Sequence, residues 1–172
     1  GGPVPLGDVA GGYAVSPAAN GFVIAWKAFV NGTQQVLAQT FDASGAPTAA
    51  RRALSQDQGL GFDVQGFPDG GFAVAVTSAD VIVFRQVAPD GTVGPLTYVA
   101  DGARPELERL SDGRLVLAYT DDGTPPSSVF VRLLPDGAAT RIHDFMGLSA
   151  VGDPSVAALP GGGFLVVWSA FG

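Results

Sequence analysis

One ten-residue pattern occurs four times along this chain, and it constrains the fold more than any other feature. The copies are PAANGFVIAW, FPDGGFAVAV, LSDGRLVLAY and LPGGGFLVVW, which begin at residues 17, 67, 110 and 159. Their spacing of roughly 45 residues is typical of propeller blades and repeat arrays. Each copy joins a turn to a strand that is apolar on both faces, which indicates a strand buried on both sides.

A second turn follows each of the first three copies, as FDASGAP, APDGTVG and LPDGAAT at residues 41–47, 88–94 and 134–140. Asp or Ser before Gly allows the backbone conformations that tight hairpins require. The strand after this turn carries charge, as at Arg51 and Arg52 or at Arg141 and His143. Charges of this kind protect an open sheet edge, so we expect each unit to be two hairpins with a polar outer strand.

These units predict an all-β fold, a β-propeller-like array of four-stranded antiparallel blades with about four units and an incomplete terminal blade. A β-sandwich and a stacked solenoid are the alternatives. The whole chain, 1–172, is predicted to be one repeat domain, with units at about 10–54, 60–99, 103–145 and 152–172. Residues 3–9 are a candidate closing strand, and we expect the chain to be a piece of a longer array.

The charge balance excludes some classes of partner. Sixteen acidic residues against nine basic ones give a net charge of −7, which repels phosphate backbones and anionic lipid surfaces. We therefore expect no nucleic-acid partner. No stretch of 18 consecutive apolar residues occurs, so no membrane insertion is expected, and the first residues lack the features of a signal peptide. The absence of Cys excludes disulfides and thiolate metal sites.

Two stretches carry a family resemblance that covers essentially the whole chain. DPSVAALPGGGFLVVW (153–168) and QTFDASGAP (39–47) resemble the tandem repeats of very large secreted bacterial proteins of the RTX and adhesin kind. The resemblance implies an extracellular or cell-surface location, propeller-like repeat regions and no enzymatic activity. The calcium-binding nonapeptide of type GGxGxD that often accompanies those repeats is absent here, so the resemblance does not imply calcium.

One loop offers weak candidates for a metal site. Asp121 and Asp122, beside Thr120 and Thr124, supply the oxygen atoms that a hard cation such as calcium prefers. The loop lacks the alternating ligand positions of an EF-hand, and a solvated turn is the simpler interpretation. Otherwise no cofactor is expected.

Candidate catalytic and stacking residues are weighed against packing roles. Trp26, Tyr119 and Trp168 end equivalent strands and could stack on sugars, but an aromatic repeated in each unit favours packing between blades. Glu106 and Glu108 share a strand face, whereas a glycosidase pair is expected to come from different segments, so a solvated surface is favoured. No nucleophile elbow or phosphate-binding loop occurs.

A binding face is expected at the rim opposite the recurring turns, because loops on a rigid scaffold carry recognition. This rim is predicted to hold the variable connections 27–33, 77–80 and 120–127 within blades and 56–60, 100–104 and 147–153 between blades. The candidate ligand-binding residues there are Lys27, Asn31, Asp57, Asp80, Asp101, Arg104, Asp121, Asp122 and Asp153.

Three function hypotheses follow from the sequence. The first is a non-catalytic structural or adhesion repeat module of a secreted or cell-surface bacterial protein, which assembles with copies of itself or with further repeats. The second is a carbohydrate-binding, lectin-like propeller with glycan partners. The third is a sialidase-like hydrolase, which ranks last because no Arg cluster for a carboxylated sugar is evident.

Overall fold

The computed structural model describes residues 6, 9–55, 61–121, 127–144 and 150–171. Within these ranges every regular element is a β-strand, and all the strand pairs are antiparallel. No helix long and apolar enough to cross a bilayer occurs in this part of the chain. The prediction of an all-β, antiparallel fold is therefore confirmed.

Three four-stranded sheets follow one another along the chain, and we call them blades one, two and three. Blade one contains β1 (Val9–Ala18), β2 (Gly21–Val30), β3 (Thr33–Asp42) and β4 (Arg52–Ala53). Blade two contains β5 (Phe62–Gly66), β6 (Phe72–Ser78), β7 (Val81–Val87) and β8 (Thr97–Asp101). Blade three contains β9 (Ala103–Arg109), β10 (Leu115–Asp121), β11 (Ser128–Leu134) and β12 (Thr140–Asp144).

Each of these sheets is a simple meander, because its strands pair in chain order. The last strands, β4, β8 and β12, lie at one edge of their sheets, where the charged sequences predict an outer strand. The remaining strands are β13 (Ala150–Val151), β14 (Ser155–Ala158), β15 (Phe164–Val167) and β16 (Ala170–Phe171). β14 pairs with β15, which we call blade four, and β13 pairs with β16.

Two sequence-based expectations differ from the structure. Residues 27–30 were expected in a variable loop, but they continue β2, because Asn31 and Gly32 turn the chain directly into β3 with φ of 52° and 79°. Asn-Gly is a favoured pair for such two-residue hairpin turns. Val9 was expected in a strand closing blade four, but it begins β1 and pairs with Ala28. Residues 3–5, 7 and 8 of that candidate strand lie outside the described residues.

The first strands of the blades lie side by side: β1 contacts β5, β5 contacts β9, and β9 contacts β14. Side chains of one blade bind backbone groups of the next. The Ser16 hydroxyl accepts the Gly66 N–H at 2.9 Å, and the Asp63 carboxylate accepts the Leu107 N–H at 2.7 Å. These N–H groups lie at the inner edges of their sheets, where no neighbouring strand offers an acceptor. The two side chains therefore satisfy donors that would otherwise be unpaired.

The second strands, β2, β6, β10 and β15, set the packing between blades because their side chains alternate between two faces. On the back face, alternate residues contact the following blade: Val23 and Ala25, Ala73 and Ala75, Val116 and Ala118. On the front face, the intervening residues contact the preceding blade: Val74 and Val76, Leu117 and Tyr119, Phe164 and Val166. Small back faces therefore meet larger front faces at each of three interfaces.

Gly66 lies at a close approach between blades one and two and gives a direct test of this packing. A Cβ built at Gly66 would lie 2.1 Å from the Pro17 carbonyl oxygen. We expect Gly66→Ala to lower the free energy of unfolding by about 3 kcal/mol, because one blade must move away from the other.

The matched control is Gly163→Ala in the turn of blade four, where the nearest atoms lie 4.0 Å from the added Cβ. This change should alter stability by less than about 0.5 kcal/mol. Urea unfolding of both variants measures the difference, and equal stability of the two would contradict the observed approach of β1 and β5.

Candidate functional site

Four of the candidate binding residues lie at the edge of the blades opposite the recurring turns. Asn31 and Asp80 are exposed in the tight turns after β2 and β6, and Asp101 and Asp121 end β8 and β10. Lys27 instead lies within β2, with its ammonium 5.7 Å from the centre of the Phe62 ring. Asp57 and Asp122 lie outside the described residues. The ligand role of this set stays a prediction.

The structure brings two of these candidates together. The Arg104 guanidinium contacts the Asp153 carboxylate at 3.1 Å and donates a hydrogen bond to the Val151 carbonyl at 2.7 Å. Arg104 is the second residue of β9, and Val151 and Asp153 both precede β14 of blade four. The two interactions therefore join blade three to blade four, which is a structural role for residues predicted as ligand contacts.

Asp63 is a buried carboxyl at the inner edge, and it was not among the candidates. Its two oxygens accept the N–H groups of Leu107 at 2.7 Å and Val64 at 2.8 Å. Burial raises the pKa of Asp63 to about 6, against the lowering effect of these two hydrogen bonds. The sequence signal was an Asp inside the strand FDVQG, where a charged side chain needs a partner.

Glu106 adds a second carboxyl to the same region. Burial, which is the largest cause, and the negative charges of Asp63 and Asp153 together raise the pKa of Glu106 to about 7. A carboxyl with a pKa near 7 exchanges its proton at neutral pH, which is the property that general acid catalysis uses. The described residues contain no group of three or more His, Asp or Glu side chains placed to hold a metal ion.

The repeated aromatic residues pack between strands. Trp26 and Tyr119 are buried, and the Tyr119 ring stacks on Phe130 with centroids 5.4 Å apart. Burial raises the pKa of the Tyr119 hydroxyl to about 12. Trp168 is half-buried, with its ring 5.8 Å from the His143 ring. The predicted packing between blades is confirmed for Tyr119, whereas Trp26 packs within blade one and against Leu6, so neither ring is exposed to stack on a sugar.

A cavity lies on the other rim, where the recurring turns are, between blades two and three. We call it the turn-rim groove; its volume is about 540 Å³. Its lining residues are Phe67, Pro68, Asp69, Phe84, Gln86, Arg109, Asp112, Gly113, Arg114, Leu115, Leu134 and Pro135. The variable loops favoured the opposite rim as a binding face, and the groove was not predicted because the recurring turns that line it look alike in sequence.

Comparison with solved structures supports the blade arrangement. The crystal structure of TolB from Acinetobacter baumannii is similar, with a TM-score of 0.53 at 19% sequence identity. The match covers 94% of this chain and 41% of the TolB chain, so this chain spans less than half the length of that neighbour. At this identity the likeness shows the fold alone, and it fits a propeller-like arrangement. No protein-family model and no curated protein matches the chain.

The raised pKa values predict how stability depends on pH. Asp63 and Glu106 bind their protons more tightly in the folded protein than in the unfolded chain, where their pKa values are about 4. Their contribution to stability is therefore greatest below about pH 4 and is lost as the pH rises to about 6 for Asp63 and 7 for Glu106.

Asp63→Asn removes the contribution of the Asp63 carboxyl to the pH dependence of stability. We expect the loss of unfolding free energy between pH 4 and pH 7 to be about 2 kcal/mol smaller in this variant than in the parent protein. Chemical denaturation at each pH measures it, with the exposed turn variant Asp136→Asn as control. A parent-like pH dependence in Asp63→Asn would show that the Asp63 carboxyl is not buried as described.

Proposed function

We propose that this chain is a non-catalytic structural or adhesion module of a secreted or cell-surface bacterial protein, and that it works by packing blade against blade. The likeness of its repeats to those of large secreted bacterial proteins supports the location and the adhesive role. The structural support comes from the first and last blades, whose outward faces have the same design as the faces buried between blades.

The back face of blade four carries this proposal. Leu165 and Val167 are each 54% exposed, whereas Val116 and Ala118, at the equivalent positions of blade three, are fully buried. Each buried side chain of this kind contributes about 1.5–3 kcal/mol relative to leaving it in water. Two neighbouring apolar side chains at a repeat interface position therefore favour a further blade on this face.

The β1 part of the front face of blade one is the complementary end, because Trp26 and Ala28 on β2 of the same face are already buried. Tyr13 and Val15 of β1 pair with Trp26 and Ile24, so their side chains share the front face, and they are 75% and 55% exposed. In the three interfaces within the chain, a front face always meets a back face. The same head-to-tail contact with a further repeat or with a second copy extends the array.

Two alternative functions are also testable. A lectin-like, carbohydrate-binding propeller requires glycan retention, and an array of immobilised glycans that retains none of the protein would count against it. A sialidase-like hydrolase requires turnover that depends on Glu106. The raised pKa of Glu106 is the observation that favours the hydrolase alternative. Turnover that Glu106→Gln leaves unchanged would refute this alternative.

Sedimentation of residues 1–172 tests the packing proposal. We expect association that increases with concentration, and we expect Leu165→Asp combined with Val167→Asp to weaken it at least tenfold, because charge on the back face opposes burial. The control is Leu96→Asp, which changes an apolar side chain of similar exposure (48%) away from the outward faces of blades one and four.

Two results would contradict the packing proposal. A parent chain that stays monomeric up to millimolar concentration, or association that Leu96→Asp weakens as much as the back-face variant does, would overturn the proposal. Circular dichroism of each variant verifies that the strands are retained.

A further inference from the structure

The turn-rim groove has a smaller and divided equivalent between blades one and two. Arg52 and residues 49–50 line the part beside β4, which retains only about 20 Å³, and a separate part lined by Ala18, Thr40 and Gly70 retains about 250 Å³. The Arg52 guanidinium lies over Gly91, with Nη2 2.6 Å from the position that a Cβ at Gly91 would take. Its charge also helps to hold the pKa of Asp90 below the ordinary value, after the hydrogen bonds from Thr92.

Strand register shows why the second junction is open. Arg52 pairs with Ala38 in blade one, and Thr97 pairs with Phe84 in blade two. Ala38 and Phe84 are equivalent because they pair with Ala25 and Ala75 of the second strands. Thr97 therefore stands where the first junction has Arg52. The short Thr97 side chain is exposed and is not among the residues that line the groove.

The walls of the two junctions also differ in charge. Arg109 pairs with Leu115 in blade three, and Gly66 pairs with Phe72 in blade two. These positions are equivalent, so the second junction has an arginine where the first has a glycine. Arg114 directly precedes Leu115, and Gly71 directly precedes Phe72. A second arginine therefore stands where the first junction has a glycine. Relative to the first junction, the second has Thr97 in place of Arg52 and has gained the Arg109 and Arg114 guanidinium groups and the ring of Phe84.

Only one of these cations is uncommitted within the part of the chain that the structure describes. Arg114 forms an ion pair with Asp112, with Nη2 2.7 Å from Oδ2, and Asp69 accepts the Gly71 N–H at 2.9 Å. Arg109 has no acidic side chain within ion-pair distance among these residues. The groove thus offers one available guanidinium beside a wall formed by Phe67, Phe84, Leu115 and Leu134.

We propose that the turn-rim groove binds a small aromatic carboxylate, with the carboxylate on Arg109 and the ring against Phe84 and Leu134. Arginine binds carboxylates through charge-assisted and often paired hydrogen bonds, and aromatic rings pack well against such a wall. The volume of about 540 Å³ lies in the range of small-molecule sites. This binding activity is separate from blade packing and goes beyond the proposed function.

Three ligands of one shape test the proposal: 3-phenylpropionate, 3-phenylpropan-1-ol and 3-phenylpropylamine. Titration followed by amide chemical shifts of ¹⁵N-labelled protein gives a dissociation constant for each. We expect the carboxylate to bind at least tenfold more tightly than the alcohol and the amine to bind most weakly, with the shift changes centred on residues 67–69 and 112–115.

Two variants connect the binding to the groove. Arg109→Gln should bring carboxylate affinity down to that of the alcohol, because the neutral amide keeps much of the side-chain volume without the charge. Thr97→Arg should abolish binding of all three ligands by filling the groove as Arg52 fills the first junction. Arg51→Gln makes the same charge change at an exposed position and should leave each affinity unchanged.

Other outcomes overturn the proposal. Equal affinity for carboxylate and alcohol would mean that Arg109 does not select the ligand, and preference for the amine would mean that Asp69 and Asp112 govern the groove. Binding that survives Thr97→Arg in a folded variant would place the ligand elsewhere on the molecule, and no binding by any of the three ligands would refute the site. Thermal unfolding verifies that each variant is folded.

Discussion

The alternation of side chains along the second strand of each blade is the constraint on which the rest of the structure depends. Because successive residues point to opposite faces, a strand such as Leu115–Asp121 presents Val116 and Ala118 to one neighbour and Leu117 and Tyr119 to the other. Small side chains on the back face leave room for large ones on the next front face. If the pairing of a second strand with its neighbours shifted by one residue, its two sets of side chains would exchange faces. The strand register repeated in each blade therefore fixes both the order and the spacing of the blades.

The sequence predicted the architecture well because its signals are local and repeated. Turn residues, a strand apolar on both faces and a charged last strand recur in each unit, and together they indicate a four-stranded meander. The prediction failed where one pair of residues decided the outcome. Asn31 and Gly32 make a tight hairpin, so Lys27 lies in a strand and not in a loop.

The candidate sites could be predicted only in part, because they depend on residues that the repeat does not share. The groove exists because Thr97 stands where blade one has Arg52, and its charge comes from Arg109 and Arg114 where the first junction has glycines. The Asp63 carboxylate binds the Leu107 N–H across two blades, 44 residues apart in sequence. No pattern in one sequence reveals such contacts, since they arise only when neighbouring blades are packed.

The two faces of each second strand pack against two different neighbours, and we propose that the exposed back face of blade four packs against a further one. Paramagnetic relaxation of methyl signals by a soluble nitroxide, measured on dilute monomer, tests it most directly. We expect strong relaxation at Leu165 and Val167 and little at Val116, Val23 and Val74, which occupy repeat interface positions in the other blades. Equal protection of Leu165, Val167 and Val116 in the monomer would contradict it.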